Sequence, residues 1–143
     1  WFVIDTEAAT VYSDIKHVEY VSNYDGDTVT VNIVGYPDIV GLHIPIRVRG
    51  IDTPEIRAKC VTEKFLAIRA KNFVGRQLLL AKKITIVGPT RDKYFRIGGD
   101  IQYDGKSLAQ ELLDKGYGYV YNGGKKQNPW CKEELEDETE VVE

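Results

Sequence analysis

The sequence predicts a small mixed α+β domain, a five-stranded β-barrel with two to three helices. Three observations predict this class. Five short β-rich runs occur along the chain, and one long segment of helical period separates the third run from the fourth. Turn signals such as Asp-Gly lie between several runs. A length of 143 residues with 43% apolar composition suits one domain with one core.

The first two strands form a predicted hairpin. Residues 17–24 and 28–34 are β-rich, and the DGDT sequence at 25–28 joins them with a turn signal. Taken alone, an Asp-Gly pair here is typical of an ordinary hairpin turn. Residues 35–41 are predicted to be a loop, because Pro37 interrupts strand pairing.

The third strand is predicted over residues 44–51 and ends in a second acidic motif. Aliphatic side chains alternate in this run with Pro45, Arg47 and Arg49, so both arginines are expected on one face. The DTPE sequence at 52–55 follows directly. By itself it is also compatible with a plain strand exit, where proline stops the ladder.

A long helix and a fourth strand come next. Apolar residues between positions 59 and 82 recur at helical spacing, with Thr62 as a possible N-cap. Lysines at 82–83 suit the negative end of the helix dipole. Residues 84–87 are predicted to be a strand, and residues 88–94 a loop that opens with Gly-Pro.

The last predicted elements are a strand and a short helix. Residues 96–103 form the fifth strand, and Asp-Gly at 104–105 turns the chain. Ser107 with Gln110 predicts a capping box for a short helix whose C′ residue is Gly116. Three strands, a helix, two strands and a helix match the order of an OB-fold barrel.

Charge divides the chain into a predicted domain at 1–131 and an acidic tail at 132–143. The tail has a net charge of −6, which leaves +3 on the domain. Any affinity for nucleic acid must then come from a local cleft and not from a global positive field. No apolar run approaches the roughly 20 residues of a membrane span. We expect the protein to act as a monomer.

The two cysteines, Cys60 and Cys131, allow two interpretations. They are either unrelated free thiols or one disulfide that ties the C-terminal segment to the domain. A bridge would indicate an oxidising compartment, extracellular or periplasmic. The sequence alone leaves both interpretations open.

The two acidic motifs and two arginines suggest phosphate chemistry. Their carboxylates form an oxygen-only donor set for a hard divalent cation, with no histidine or cysteine close by in the sequence. Arg47 precedes the second motif, and Arg96 ends the later DKYFR sequence, so two guanidiniums are available for a phosphate. Phosphodiester hydrolysis uses all of these groups together.

These motifs, in this order, resemble the staphylococcal-nuclease-like (thermonuclease) family over about residues 18–122. The similar segments are DGDT at 25–28, IRVRGIDTPE at 46–55, and DKYFR at 92–96 followed by YDGKSLAQELL. Cys60 and the NPWC sequence at 128–131 resemble the secreted bacterial branch. The resemblance implies an OB-fold nuclease that hydrolyses DNA and RNA with Ca²⁺, preferring single-stranded or flexible substrates, and that is secreted or periplasmic.

The resemblance also implies roles for individual residues. Asp27 and Asp52 would be calcium-ligating carboxylates, the Thr53 backbone carbonyl would be a third ligand, and Glu55 would act on the attacking water. Three pairs complete the assignment: Arg47 and Arg96 at the scissile phosphate, Lys93 and Tyr94 at another phosphate, and Cys60 and Cys131 as a disulfide.

The chain departs from the family at two positions and in the loop before the DKY sequence at 92–94, which is short. The family usually has glycine where Phe95 stands, and a base-packing tyrosine of the family falls on Asn122 here. Tyr121 is the neighbouring aromatic residue, available either to stack on a base or to pack in the fold. The alternative function is a non-catalytic OB-type nucleic-acid-binding or interaction module, which would not need the carboxylates.

Overall fold

The computed structural model describes residues 10–91 and 96–132. The elements, in chain order, are β1 (Ile15–Asn23), β2 (Thr28–Ile33), α1 (Asp38–Gly41), β3 (Ile44–Val48), β4 (Ile51–Asp52), α2 (Val61–Leu80), β5 (Ile84–Arg91), β6 (Ile97–Tyr103), β7 (Lys106–Ser107), α3 (Leu108–Asp114) and β8 (Tyr119–Val120).

Five strands close into a barrel in the order β3-β2-β1-β5-β6. Neighbours along this order pair antiparallel, and a parallel pairing between β3 and β6 closes the barrel, with Ile46 opposite Ile97. β7 extends the sheet at β6, and β4 pairs with β8 in a separate two-stranded sheet. The barrel with its three helices confirms the predicted OB-fold, mixed α+β class.

Alternating strand residues fill the barrel, and α2 covers it. In β2 every second residue is buried, as expected for a strand with one face towards a core. α2 buries residues at helical spacing: Ala67, Ala70, Phe73, Val74 and Leu78. Asn23 at the end of β1 ties the two layers together, because its side-chain amide donates to the Lys71 carbonyl at 3.0 Å.

The ends of α2 differ from the prediction. Cys60, and not Thr62, is the N-cap residue, and its sulfur accepts from the backbone N–H of Glu63 at 3.4 Å. The helix ends at Leu80, so Lys82 and Lys83 lie beyond its last turn. They are tied instead to the turn after β6, where the carboxylate of Asp104 accepts from both backbone N–H groups.

Three strand and loop boundaries also differ. The segment at 35–41 is not entirely loop, since α1 follows Pro37, whose fixed φ suits the position before a helix. The predicted third strand is split into β3 and β4, because Gly50 has a positive φ of 86°. β5 continues to Arg91, and its register with β6 shifts between Val87 and Thr90, so Pro89 is accommodated in the irregularity.

The C-terminal helix follows the prediction. The Ser107 hydroxyl accepts from the backbone N–H of Gln110 at 3.3 Å, which is the expected N-cap bond. Gly116 follows the last turn with a φ of 75°, as a C′ glycine does. Among the residues described, no helix combines the length and the apolar character that crossing a bilayer requires.

Candidate active site

The turn between β1 and β2 brings the first acidic motif to the site. One carboxylate oxygen of Asp25 accepts from the backbone N–H groups of Asp27 at 3.1 Å and Thr28 at 3.0 Å. This is an Asx turn, so Asp25 has a structural role. A Cβ at Gly26 would lie 3.0 Å from the Thr53 side chain, so glycine allows the two motifs to approach.

Asp27 and Asp52 are the two buried carboxylates at the centre of the site, with 5% and 2% of their surface exposed. The backbone N–H of Thr53 donates to Asp27 Oδ2 at 3.1 Å. Asp52 pairs with Tyr119 across the β4–β8 sheet, and the Tyr119 hydroxyl donates to Asp52 Oδ2 at 3.1 Å. Strand pairing therefore fixes Asp52, and the hydrogen bond from Thr53 holds the carboxylate of Asp27.

Arg47 links the two acids. Its Nη2 lies 3.5 Å from Asp27 Oδ2 and 3.5 Å from Asp52 Oδ1. Its Nη1 donates to the Val48 carbonyl at 2.6 Å, and the residue is held in β3 opposite Thr28. The guanidinium is therefore positioned by the barrel and neutralises part of the charge of both carboxylates.

Burial raises the pKa of two acids in this cluster. The pKa of Asp25 is raised to about 7, first by burial and then by the neighbouring negative charge of Asp27. Burial also raises the pKa of Asp52, although the Lys126 ammonium and the Tyr119 hydroxyl act in the opposite direction. A positive charge beside these acids offsets the penalty that burial places on their ionised forms.

Glu55 lies between β4 and α2, with 45% of its side chain exposed. Its backbone N–H donates to Glu63 Oε2 at 3.1 Å. Glu63 is buried in the first turn of α2, where its other oxygen accepts from the Lys59 backbone N–H at 2.9 Å. The Glu55 backbone is thus fixed, while its carboxylate remains open to water.

The C-terminal segment is bonded to the start of α2, where Glu63 lies. Cys60 and Cys131 form a disulfide, and the Asn128 side-chain amide donates to Glu63 Oε1 at 3.2 Å. The ligand atoms of Cys60, Glu63 and Cys131 lie within 4.8 Å of one another. Because the sulfurs are bonded to each other, they are not thiolates and do not form a metal site.

A groove of about 350 Å³ opens beside Arg47. Its lining includes three arginines and an aromatic residue: Arg47, Arg49, Arg96 and Tyr121. Arg49 forms an ion pair with Asp100 at 3.8 Å, which occupies part of its charge. Arg47 therefore belongs both to the carboxylate cluster and to the wall of a cationic groove.

Most of the predicted site residues come together here. The candidates at the carboxylate cluster are Asp27, Asp52, Thr53, Arg47 and Glu55. Arg96 and Tyr121 line the adjoining groove, as does Asn122. Lys93, Tyr94 and Phe95 lie outside the described residues.

Sequence reasoning missed Lys126 and Glu63. Lys126 Nζ lies 3.0 Å from Glu55 Oε1 and 3.3 Å from Asp52 Oδ1. Nothing in the local sequence distinguishes Lys126 from Lys125. The available signal was the cysteine pair, which brings the segment before Cys131 close to the second acidic motif.

The donor set fits a hard divalent cation. Asp52 Oδ1 is buried and, among the described residues, receives no hydrogen bond. The buried hydroxyl oxygen of Thr53 also has no hydrogen-bond partner among the described residues. Asp52 Oδ1 does lie 3.5 Å from Arg47 Nη2 and 3.3 Å from Lys126 Nζ. Buried oxygens of this kind, beside the second buried carboxylate of Asp27, are the ligand type that calcium prefers.

The comparison with protein families agrees with this geometry. The family described as staphylococcal nuclease homologue matches residues 45–141, which include the second acidic motif, most of β3, both long barrel strands after α2 and the C-terminal segment. No curated protein matches the chain. The match covers more than half of the chain, and the protein therefore belongs to the staphylococcal nuclease homologue family.

Proposed function

We propose that the protein is a calcium-dependent phosphodiesterase that hydrolyses DNA and RNA. The observation that carries this proposal is the position of Arg47, 3.5 Å from both buried carboxylates and in the wall of the groove that Arg96 also lines. This arrangement combines a cation-binding cluster with phosphate-binding groups. Membership of the family supports the same class of activity.

Asp27, Asp52 and the backbone carbonyl of Thr53 would hold the calcium ion. These are fewer than the roughly six to eight oxygens that calcium takes, which leaves room for water and a phosphate oxygen. When bound, calcium supplies positive charge that stabilises the negative charge developing on the phosphate. The burial of both carboxylates keeps these ligands in place before the substrate arrives.

Glu55 acts on the attacking water in this proposal. Its exposed carboxylate orients the water and accepts its proton, while the hydrogen bond from its backbone to Glu63 limits movement of the residue. The oxygen of the water attacks phosphorus, the bond to the leaving oxygen on the opposite side breaks, and that oxygen takes up a proton from solvent.

Arg47 and Arg96 bind the scissile phosphate through charge-assisted hydrogen bonds. We assign Lys93 and Tyr94 to a second phosphate and Tyr121 to stacking on a base, because Tyr121 lines the groove. A single strand can present one phosphate to a groove of this size, whereas a duplex would have to be deformed to do so. This difference favours single-stranded or flexible substrates.

Digestion of single-stranded DNA and RNA tests the proposal. We expect cleavage in calcium and none after chelation. Glu55→Gln, assayed in parallel, identifies cleavage that comes from this site and not from a contaminant. Full activity in excess chelator would contradict the calcium dependence. Binding in calcium without cleavage would favour a non-catalytic nucleic-acid-binding module.

We also propose that the protein works as a monomer in an oxidising compartment, extracellular or periplasmic. The Cys60–Cys131 disulfide supports the compartment, since such bonds persist where thiols are not kept reduced. Thiol titration of denatured, non-reduced protein should find no free thiol from this pair. Two free thiols per chain would contradict the assignment.

A further inference from the structure

The ammonium group of Lys126 lies between two acids of the candidate site. Its Nζ donates to Glu55 Oε1 at 3.0 Å and lies 3.3 Å from Asp52 Oδ1. Asp52 Oδ1 is the buried oxygen that receives no hydrogen bond from the described residues. Lys126 therefore supplies positive charge at a carboxylate oxygen that suits a metal ion.

The segment that carries Lys126 is held at both of its ends. On one side, the Tyr121 hydroxyl donates to the Gly124 carbonyl at 2.6 Å. On the other side, the Gln127 backbone N–H donates to the Tyr119 hydroxyl at 3.2 Å, and Cys131 is bonded to Cys60. These contacts fix the backbone near the acids.

The side chain of Lys126 is freer than its backbone. Its side chain is 45% exposed, compared with 21% for Arg47, the other cation close to Asp52 among the described residues. Arg47 is also held by β3 and by its bond to the Val48 carbonyl. Lys126, in contrast, lies in a loop, and its ammonium group is at the end of a flexible four-carbon side chain. Lys126 can therefore leave the acids without any change in the barrel.

We propose that the Lys126 ammonium occupies the cation position of this site in the metal-free protein and sets the affinity of the site for calcium. The inference rests on the proposed calcium site. Asp52 Oδ1 already lies 3.5 Å from Arg47 Nη2 and 3.3 Å from Lys126 Nζ, so a calcium ion there would add a third cation. The repulsion would displace the ammonium, because Arg47 is held by β3 and its bond to the Val48 carbonyl and Lys126 is the more exposed of the two. Displacement also removes the ammonium from Glu55 Oε1.

Calcium titration by calorimetry tests this inference without any assay of activity. Lys126→Gln should lower the Kd for calcium about tenfold, the effect expected from losing one charge-assisted hydrogen bond. Lys125→Gln is the matched control, since Lys125 is exposed and the substitution removes the same charge from the adjacent residue. The control should bind calcium with nearly the wild-type Kd.

Thermal unfolding supplies a second measurement. At one subsaturating calcium concentration, the rise in Tm on adding calcium should be larger for Lys126→Gln than for wild type or Lys125→Gln. Equal Kd values in all three proteins would overturn the role of Lys126 and leave the calcium site intact. Absence of calcium binding in all three would overturn the calcium site itself, and with it this inference.

Discussion

Arg47 places one guanidinium nitrogen 3.5 Å from oxygens of both Asp27 and Asp52, while another nitrogen is bonded to the Val48 carbonyl. At the scale of single residues, the site depends on this flat group, which offers several donors in fixed directions. A lysine has the same charge but presents it from one point. The shape of Arg47 therefore matters as well as its charge.

Arg47→Lys should lower kcat/KM for single-stranded DNA about 100-fold, comparable to the loss of one preorganised donor to a developing negative charge. Initial rates in saturating calcium measure the effect. Arg76→Lys makes the same change at an exposed position of α2 and serves as the control. Equal rates for the two variants would contradict a contact between Arg47 and the phosphate.

Glu55→Gln should lower kcat by about 10²–10⁴-fold, since the amide cannot take a proton from water. The fold should be kept, because Glu55 is exposed and its backbone bond to Glu63 is unchanged, and calcium should still bind because Asp27 and Asp52 are unchanged. Glu19→Gln at an exposed position of β1 is the control. A kcat near the wild-type value would mean that a group other than Glu55 activates the water.

At the scale of elements, two short structures bring the acidic motifs together. The β1–β2 turn presents Asp27, and the β4–β8 pair fixes Asp52 next to Tyr119. Gly26 lies where the turn meets Thr53. Small changes in either element should therefore alter both stability and metal binding.

Gly26→Ala should reduce the free energy of unfolding by about 1–3 kcal/mol, because the added methyl overlaps the Thr53 side chain. The displaced turn should also weaken calcium binding. Urea denaturation of the variant measures the first effect. Gly98→Ala is the control, since its Cβ would meet Thr90 Oγ1 at 3.4 Å. Equal losses of unfolding free energy in the two variants would contradict a particular steric requirement for glycine beside Thr53.

Elements with local signals were predictable from the sequence, and those set by distant contacts were not. The Asp-Gly turn, the period of α2 and the Ser107 cap all depend on residues close in the chain. The continuation of β5 to Arg91 depends on its pairing with β6, and a local Gly-Pro signal points the other way. Tertiary pairing therefore overrode turn propensity there.

The same distinction applies to the site. The acidic motifs and Arg47 lie within short stretches, so their meeting was predictable from strand order. From the sequence, Glu63 is an ordinary acidic residue in the first turn of a helix, where its negative charge interacts favourably with the helix dipole. Its burial under the C-terminal segment follows from the disulfide and from Asn128, 65 positions away.

At the scale of the whole molecule, two long-range connections organise the fold, a strand pairing and a disulfide. The parallel β3–β6 pairing closes the barrel, and the Cys60–Cys131 bond, across 71 positions, returns the C-terminal segment to the start of α2. The barrel carries Arg47 and the turn with Asp27. The second connection carries Lys126 to the acids.

Reduction of the Cys60–Cys131 bond should lower the free energy of unfolding by up to about 4 kcal/mol, the loop-entropy value for a link of this span. Some nuclease activity should remain, because Asp27 and Arg47 are held by the barrel. Scanning calorimetry with and without reductant measures the loss. The Cys60→Ala/Cys131→Ala variant should be as unstable as the reduced protein and insensitive to reductant. No change on reduction would contradict a stabilising bond.

The packing of Trp130 has a consequence for spectroscopy. Its ring centroid is 5.2 Å from that of Tyr119, whose hydroxyl donates to Asp52. An ion that binds Asp52 changes the electric field and the hydrogen bonding around this aromatic pair, and indole emission responds to both. The chain has two tryptophans, so Trp130→Phe separates the emission of Trp130 from that of Trp1. Calcium should change the fluorescence of the wild type, and Trp130→Phe should remove the part of that change that Trp130 contributes, which would make the protein its own optical reporter of the site.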